Sequence, residues 1–274
     1  MIVSVGISTC PNDTFAFHAL MTGKVRVPGM QFDFSLADVE ELNRAVLAGA
    51  FDVAKTSFAC ALRVAERVTV LRSGSALGHG VGPVLLARPN YDRDAPRIVG
   101  PGPHTTATLL YQLFHGPTPE MEHRVFSDIM PALERAEADL GLCIHEGRFT
   151  YEAHGLKLIE DLGETWERDT GTPLPLGGIV ANNRLAPADL ATIDAAIRDS
   201  IEYAYEHRDE VRETQRRFAQ ELDDDVIDQH VTLYVNERTI DLGDVGYQAL
   251  EALTERARKQ ELVPSTTTLA IRPR

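Results

Sequence analysis

Short apolar runs alternate with amphipathic stretches over the first two thirds of the chain. Ile2–Ile7 is rich in branched residues and reads as a buried strand, and a turn and a helix toward Gly23 follow it. The same order returns in the middle of the chain, from the strand Arg97–Gly100 to the strand Leu140–Ile144. Strands that alternate with helices are typical of α/β folds, and the pattern predicts largely parallel sheets.

Two further patterns refine this picture. Ser35 and Asp38 resemble a capping box ahead of Val39–Leu47, where apolar residues fall at helical spacing. The glycine-rich stretch Gly74–Pro83 predicts a lid or a loop that crosses between lobes. It lacks both the GKS/T ending and the strand–GxGxxG–helix context of a nucleotide-binding loop.

The last third of the chain changes in character, because only helical periodicity is present between Pro187 and Leu262. The predicted helices are Ala188–His207, Asp209–Glu221, Asp223–Val235 and Val245–Glu261. We therefore predict an α/β protein of two lobes. Residues 1–88 and 180–274 form the first lobe with the C-terminal helices, and residues 89–179 form the second. A cleft between lobes is a usual place for a small-molecule site.

Composition limits the class of partner. The chain has 274 residues and a formal net charge of −14, so its surface repels nucleic acid and anionic membranes. The N-terminus has no basic segment followed by an apolar run, and no apolar run is long enough to span a bilayer. We expect a cytoplasmic protein with a small-molecule partner. The pattern indicates no particular oligomeric state.

The three cysteines do not predict a metal site. Cys10, Cys60 and Cys143 lie far apart, and all three are interpreted as small buried hydrophobic residues. A Cys143–His145 nucleophile is conceivable, but no helix start that would activate the thiol is evident, and a buried filler is favoured. The acidic run at Asp223 is explained by helix capping and lacks EF-hand spacing. We therefore predict no metal site.

Two polar segments follow predicted strands and precede predicted helices. The second segment along the chain is Gly102–Ala107. It ends at the predicted start of a helix, where the backbone N–H groups of Thr106 and Ala107 are free. Such N–H groups, with the positive end of the helix dipole, bind carboxylate or phosphate groups. The structural alternative is a threonine that only caps the helix.

The first segment combines one cation with two hydroxyls. Lys55, Thr56 and Ser57 stand at a strand end, where ligands gather in open α/β sheets. Taken singly, a surface lysine and a serine cap would explain them. One such segment from each lobe favours an anionic ligand held at two points.

His145 is the candidate for proton transfer. A small apolar strand delivers it at its carboxyl end, with Glu146 and Arg148 beside it. Histidine is the side chain best suited to acid–base chemistry near neutral pH. Glu146 either orients the imidazole or points to solvent. His145 stands out from the other histidines because its position faces the same predicted cleft as the two segments.

Several stretches, in the right order over nearly the whole chain, resemble the 1,4-dihydroxy-6-naphthoate synthase family of the futalosine route to menaquinone. The stretches are STCPNDTF at Ser8–Phe15, LRSGSALGHGVGP at Leu71–Pro83, HTTA at His104–Ala107, IHEGRFT at Ile144–Thr150, PLPLGG at Pro173–Gly178 and Tyr234–Asn236. HTTA alone would be a weak signal, whereas the set is specific.

The resemblance implies a type II periplasmic-binding-protein fold whose two lobes close on the substrate. It also implies the cofactor-free carbon–carbon lyase reaction that converts cyclic dehypoxanthinylfutalosine to 1,4-dihydroxy-6-naphthoate. His145 matches the family's catalytic histidine, a general base. The first segment (Lys55, Thr56, Ser57) and the pair Thr106 and Ala107 match its substrate-binding positions. The family often has serine where this chain has Gly147, so this chain lacks a hydroxyl that some relatives have at that position.

Three alternatives stay open. Chorismate dehydratase shares the fold and the pathway, although the HTTA and IHEGRFT stretches favour the synthase. A plain solute-binding protein would use the cleft for capture of a small anion, but the missing signal peptide counts against export. A ligand-sensing regulatory domain is the third, although no DNA-binding module is recognisable in the chain.

Overall fold

Two β-sheets carry the architecture. A computed structural model describes residues 1–89, 91, 96–117, 120–145, 147–218 and 223–273. The strands in these residues are β1 (Ile2–Ser8), β2 (Gln31–Ala37), β3 (Val53–Ser57), β4 (Val68–Val70), β5 (Ala76–Gly78), β6 (Val84–Ala87), β7 (Ile98–Gly100), β8 (Glu122–His123), β9 (Leu140–Cys143), β10 (Lys157–Asp161), β11 (Leu174–Asn182) and β12 (Ala270–Ile271).

The helices surround these sheets, and those after β11 follow one another almost without interruption. They are α1 (Pro11–Met21), α2 (Val39–Ala48), α3 (Phe58–Arg63), α4 (Thr106–His115), α5 (Ile129–Glu134), α6 (Gly147–Thr150), α7 (Leu162–Thr170), α8 (Pro187–Glu206), α9 (Arg208–Phe218), α10 (Asp224–Tyr234), α11 (Glu237–Ile240) and α12 (Gly243–Lys259), with a 3₁₀ turn at Phe126–Asp128.

The strand order separates the two sheets. The first runs β12-β4-β11-β3-β1-β2, with β5 paired to β11, and the second runs β10-β6-β9-β7-β8. The chain passes from the first sheet to the second between β5 and β6, and it returns between β10 and β11. The predicted lobe boundaries at 88/89 and 179/180 stay a prediction, while the pairing puts β6 in the second sheet and β11 in the first.

Both sheets are mixed, so the expectation of largely parallel sheets is wrong. β1 pairs in parallel with β2 and β3, and β7 does so with β8 and β9. However, β11 is antiparallel to β3 and β4, and β6 is antiparallel to β9 and β10. Each of β6 and β11 is the first strand after the chain has crossed from one sheet to the other. Each runs opposite to the strands that pair with it.

Local predictions near the N-terminus need two corrections. Asp38 alone caps α2, in a capping box with Glu41, whereas Ser35 lies inside β2. The glycine-rich stretch contains the short buried strand β5, in which Leu77 is fully buried, so only the residues after it form the crossing. Apolar and polar residues are mixed in both stretches, and tertiary pairing decides their structure.

Candidate active site

A cavity lies between the two sheets. Every residue singled out from the sequence for binding or catalysis lines it: Lys55, Thr56, Ser57, Thr106, Ala107 and His145. Residues of α1 and Tyr234 at the end of α10 complete its polar wall, and apolar side chains such as Val81, Ile144 and Leu176 form much of the rest. A concave lining of apolar side chains with a few polar groups among them is typical of sites for small molecules.

The strand ends bring these residues together. β1 and β3 are parallel, so the start of α1 and the first segment lie at one edge of the first sheet. β7 and β9 are also parallel. The start of α4, which follows β7, and His145, which follows β9, therefore lie at one edge of the second sheet. The two carboxyl edges face the same cavity, which is where open α/β sheets bind ligands.

The first segment is held by bonds within the protein. The Lys55 ammonium donates to Asp13 Oδ1 at 2.6 Å, and both side chains are buried. Asn43, fully buried on α2, accepts from the Thr56 hydroxyl and from the Ser57 N–H, each at 2.9 Å. Asn43 Nδ2 also donates to Ser57 Oγ at 3.1 Å. The segment therefore reaches the cavity with most of its polar groups already paired.

The second segment, unlike the first, has backbone N–H groups that are left for a ligand. Thr105 caps α4, because its hydroxyl accepts the N–H of Thr108 at 3.2 Å. Among the described residues, the N–H groups of Thr106 and Ala107 have no acceptor, as expected in a first helical turn. The Thr106 hydroxyl donates to the Leu176 carbonyl at 2.6 Å and accepts the N–H of Ala59. It thus ties α4 to elements of the first sheet.

His145 projects into the cavity from a backbone in the left-handed region, with φ of 56°. Non-glycine residues held there are often functional, since the surrounding structure must maintain the conformation. The Cys10 sulfur lies 3.6 Å from Nδ1 and 3.8 Å from Nε2. The ring also packs on Phe126, at 4.8 Å between ring centres, and on His230.

The surroundings of His145 keep it neutral. Protein atoms enclose most of the ring, and this burial lowers the pKa of His145 to about 4, with the Lys55 charge adding to the effect and Asp13 opposing it. A neutral imidazole at physiological pH has a free lone pair with which to accept a proton. The arrangement therefore places a neutral imidazole in the same cavity as a helix start with free N–H groups.

Sequence reasoning missed four polar residues that hold this site: Cys10, Asn12, Asp13 and Asn43. The sequence analysis predicts only a turn and a helix start where Asn12 and Asp13 lie, and only a small buried hydrophobic residue at Cys10. Cys10 is buried as expected, yet it contacts a residue 135 positions away. No local pattern signals such a contact.

Other candidates fall outside the site. Cys143 is buried among Ile129 and Leu133, and burial raises the pKa of its thiol, so it is the filler that the sequence favoured. Glu146 lies outside the described residues. Within the described residues, no cluster of three or more His, Cys, Asp or Glu side chains is arranged to hold a metal, and no helix is both long and apolar enough to cross a membrane.

Comparison with known proteins decides the family. A family model described as menaquinone biosynthesis matches residues 3–259. The chain belongs to this menaquinone biosynthesis family. It is 42% identical over 259 residues to 1,4-dihydroxy-6-naphthoate synthase of Thermus thermophilus, covering 94% of both chains. It is 40% identical over 270 residues to the enzyme of that name from Streptomyces coelicolor, covering 96% of this chain and 95% of the other. The resemblance inferred from the sequence is confirmed.

Solved structures confirm the fold class. A protein of Archaeoglobus fulgidus superposes with a TM-score of 0.90 at 31% identity, covering 96% of this chain and 98% of the other. The periplasmic aliphatic sulphonate-binding protein of Escherichia coli superposes with a TM-score of 0.64 at 11% identity, covering 96% and 88%. The family thus has the periplasmic-binding-protein fold, and its curated relatives are biosynthetic enzymes.

Proposed function

We propose that the cavity converts cyclic dehypoxanthinylfutalosine to 1,4-dihydroxy-6-naphthoate, with His145 as the general base of a cofactor-independent carbon–carbon lyase. The observation that carries the proposal is that His145 and both sequence-predicted segments line one cavity. Relatives at 40% and 42% identity that bear the name of this synthase support it. A biosynthetic step of this kind fits the cytoplasmic location expected from the sequence.

The chemistry needs little beyond what the cavity offers. The precursor gains aromaticity as it loses its sugar-derived carbons, so the enzyme must chiefly anchor a carboxylate and remove a proton. The N–H groups of Thr106 and Ala107 are free to donate hydrogen bonds to the carboxylate at the positive end of α4. The neutral ring of His145 then takes the proton, which contributes about 10²–10⁴-fold to the rate.

The direct test is incubation of the purified protein with cyclic dehypoxanthinylfutalosine and, in parallel, with chorismate. Formation of the naphthoate, followed by its mass and absorbance, is the expected result. Dehydration of chorismate without reaction of the cyclic precursor would instead assign the sister activity. Tight binding of the precursor without turnover would return the site to a solute-binding function.

A further inference from the structure

A second histidine lies against the proposed base. His230 is on α10, which belongs to the helical last third of the chain, and only 1% of its surface is exposed. Its ring is nearly parallel to that of His145, with 5.8 Å between ring centres and an angle of 13° between planes. Neither the expected function nor the two anion-binding segments accounts for this pair.

A chain of hydrogen bonds fixes the tautomer of His230. The carboxylate of Asp13, paired with Lys55, can only accept, so the Asn12 group that contacts Asp13 Oδ1 at 2.9 Å is its amide NH₂. The Asn12 oxygen must then face His230 Nε2, which lies 3.0 Å away. His230 Nε2 therefore carries the hydrogen and donates it to Asn12.

The other nitrogen of His230 is left as a bare lone pair. His230 Nδ1 is buried and has no hydrogen-bond partner among the described residues. Burial lowers the pKa of His230 well below its ordinary value, and the charges of His145 and Lys55 lower it further. A proton on His230 Nδ1 would have no acceptor among the described residues, so the geometry also favours a neutral His230.

Three elements hold the His145 ring from different sides. Cys10 contacts it from the start of α1, Phe126 from the 3₁₀ turn after β8, and His230 from α10. The titratable and charged groups that face the pair are Asp13, Lys55 and Cys10 around His145 and Tyr234 beside His230. The hydrogen-bond chain that begins at the Lys55–Asp13 pair reaches His230 through the Asn12 side chain, and a second branch reaches the Cys10 backbone N–H through Ser8 Oγ.

We propose that His230 is a positioning residue for the base: the chain Lys55–Asp13–Asn12 orients its ring, and the ring in turn holds the imidazole of His145 toward the cavity. The proposal rests on the proposed function of His145. Orientation of this kind matters because a displacement of about 1 Å at a reacting group can lower a rate about 10²-fold. His230 acts only through His145 and needs no contact with the substrate.

Two substitutions separate the ring from the space it fills. His230→Ala removes the ring and admits water, so we expect kcat to fall about 100-fold with a smaller change in KM. The acid limb of the kcat/KM profile should also move from about pH 4 to higher pH, because hydration of His145 relieves the burial that lowers its pKa. His230→Phe keeps a flat ring and should lose no more than about tenfold in kcat, with the acid limb unchanged.

His207→Ala is the matched control, since His207 also stacks on an aromatic ring, with 3.9 Å between its ring centre and that of Tyr203, but is not among the rings that pack on His145. It should leave kcat and the acid limb as in the parent protein. Thermal unfolding establishes that each variant folds. A folded His230→Ala variant with the kcat and the acid limb of the parent protein would overturn the proposal. Equal kcat values and equal acid limbs in the His230→Phe and His230→Ala variants would also overturn it.

Nitrogen NMR of ¹⁵N-histidine-labelled protein tests the same proposal without turnover. We expect His230 to carry its hydrogen on Nε2 and to stay neutral down to the pH at which His145 titrates. A hydrogen on Nδ1 would overturn the proposed chain even if every variant fails to fold. If the parent protein does not convert the cyclic precursor, the proposed function fails, and the NMR result still decides the orientation of His230.

Discussion

The first and second segments look alike in sequence and differ in the folded protein. Each follows a strand, precedes a helix and supplies hydroxyls, so both are predicted to hold an anion. In the structure Asp13 and Asn43 occupy most polar groups of the first segment, whereas two N–H groups of the second segment face the cavity unpaired. Side-chain chemistry thus indicates where a polar site is, and backbone geometry decides which groups are left for a ligand.

The difference suggests a division of labour. The first segment places a buried positive charge near the cavity and is braced by α1 and α2. The second segment offers the positive end of α4 with little competition from other side chains. We infer that the carboxylate of a ligand binds mainly at α4, while Lys55 contributes to the field and to the integrity of the site.

His145→Ala should have the largest effect on turnover, because a substrate held by the two segments reacts only if a base is present. We expect kcat to fall by about 10²–10⁴-fold while the protein stays folded. Steady-state assays with the cyclic precursor give kcat, and thermal unfolding gives the folded state. Near-normal turnover in this variant would contradict the role of His145 and leave the two segments without a reactive partner.

Among changes to the residues that hold the first segment, Asp13→Ala should be the most destabilising. It leaves the Lys55 ammonium buried without its counter-charge, which costs about 3–5 kcal/mol in the free energy of unfolding. Urea denaturation measures the change. Glu210→Ala is the matched control, because its ion pair with Lys24 is exposed and should contribute little to the free energy of unfolding. An equal decrease in the free energy of unfolding in the two variants would show that Lys55 is hydrated and accessible to the ligand.

Asn43→Ala tests the bracing from α2. It deprives the Ser57 N–H and the Thr56 hydroxyl of their acceptor in a buried place, so the free energy of unfolding should fall by about 1–3 kcal/mol. KM should rise as well, because the segment loses its fixed position. Asn183→Ala, at an exposed hydrogen bond with Thr69, should change neither quantity. A rise in KM for the control, or none for Asn43→Ala, would argue against bracing.

The sequence predicts the ends of elements better than the contacts between them. The strand–turn–helix order located Lys55, Thr106 and His145 because each stands at a strand end or helix start, where local backbone pattern is informative. It could not locate Asn43 or His230, since both lie within helices and look like ordinary polar positions. Their partners are 13 or 14 residues away for Asn43 and 218 away for His230.

The same reasoning explains the errors in the fold. Parallel order was expected from strands that alternate with helices, but β6 and β11 follow passages between two sheets, which no local pattern reveals. β12 was missed because two residues carry too little periodicity to be recognised. The fold class survived these errors because it depends on the succession of elements, which the apolar pattern does encode.

The smallest predicted effect concerns the free backbone N–H groups of the second segment. Thr106→Val and Thr106→Pro both remove the hydroxyl that bonds the Leu176 carbonyl, and they differ chiefly in the backbone N–H. Proline suits the first helical position, and Thr105 before it is already extended, with ψ of 151°. A hydrogen bond to a charged group contributes about 1.5–3 kcal/mol, so KM should be about tenfold higher or more for Pro than for Val. Equal KM values would mean that α4 does not bind the carboxylate, and the first segment, despite its internal pairing, would then be the anion site.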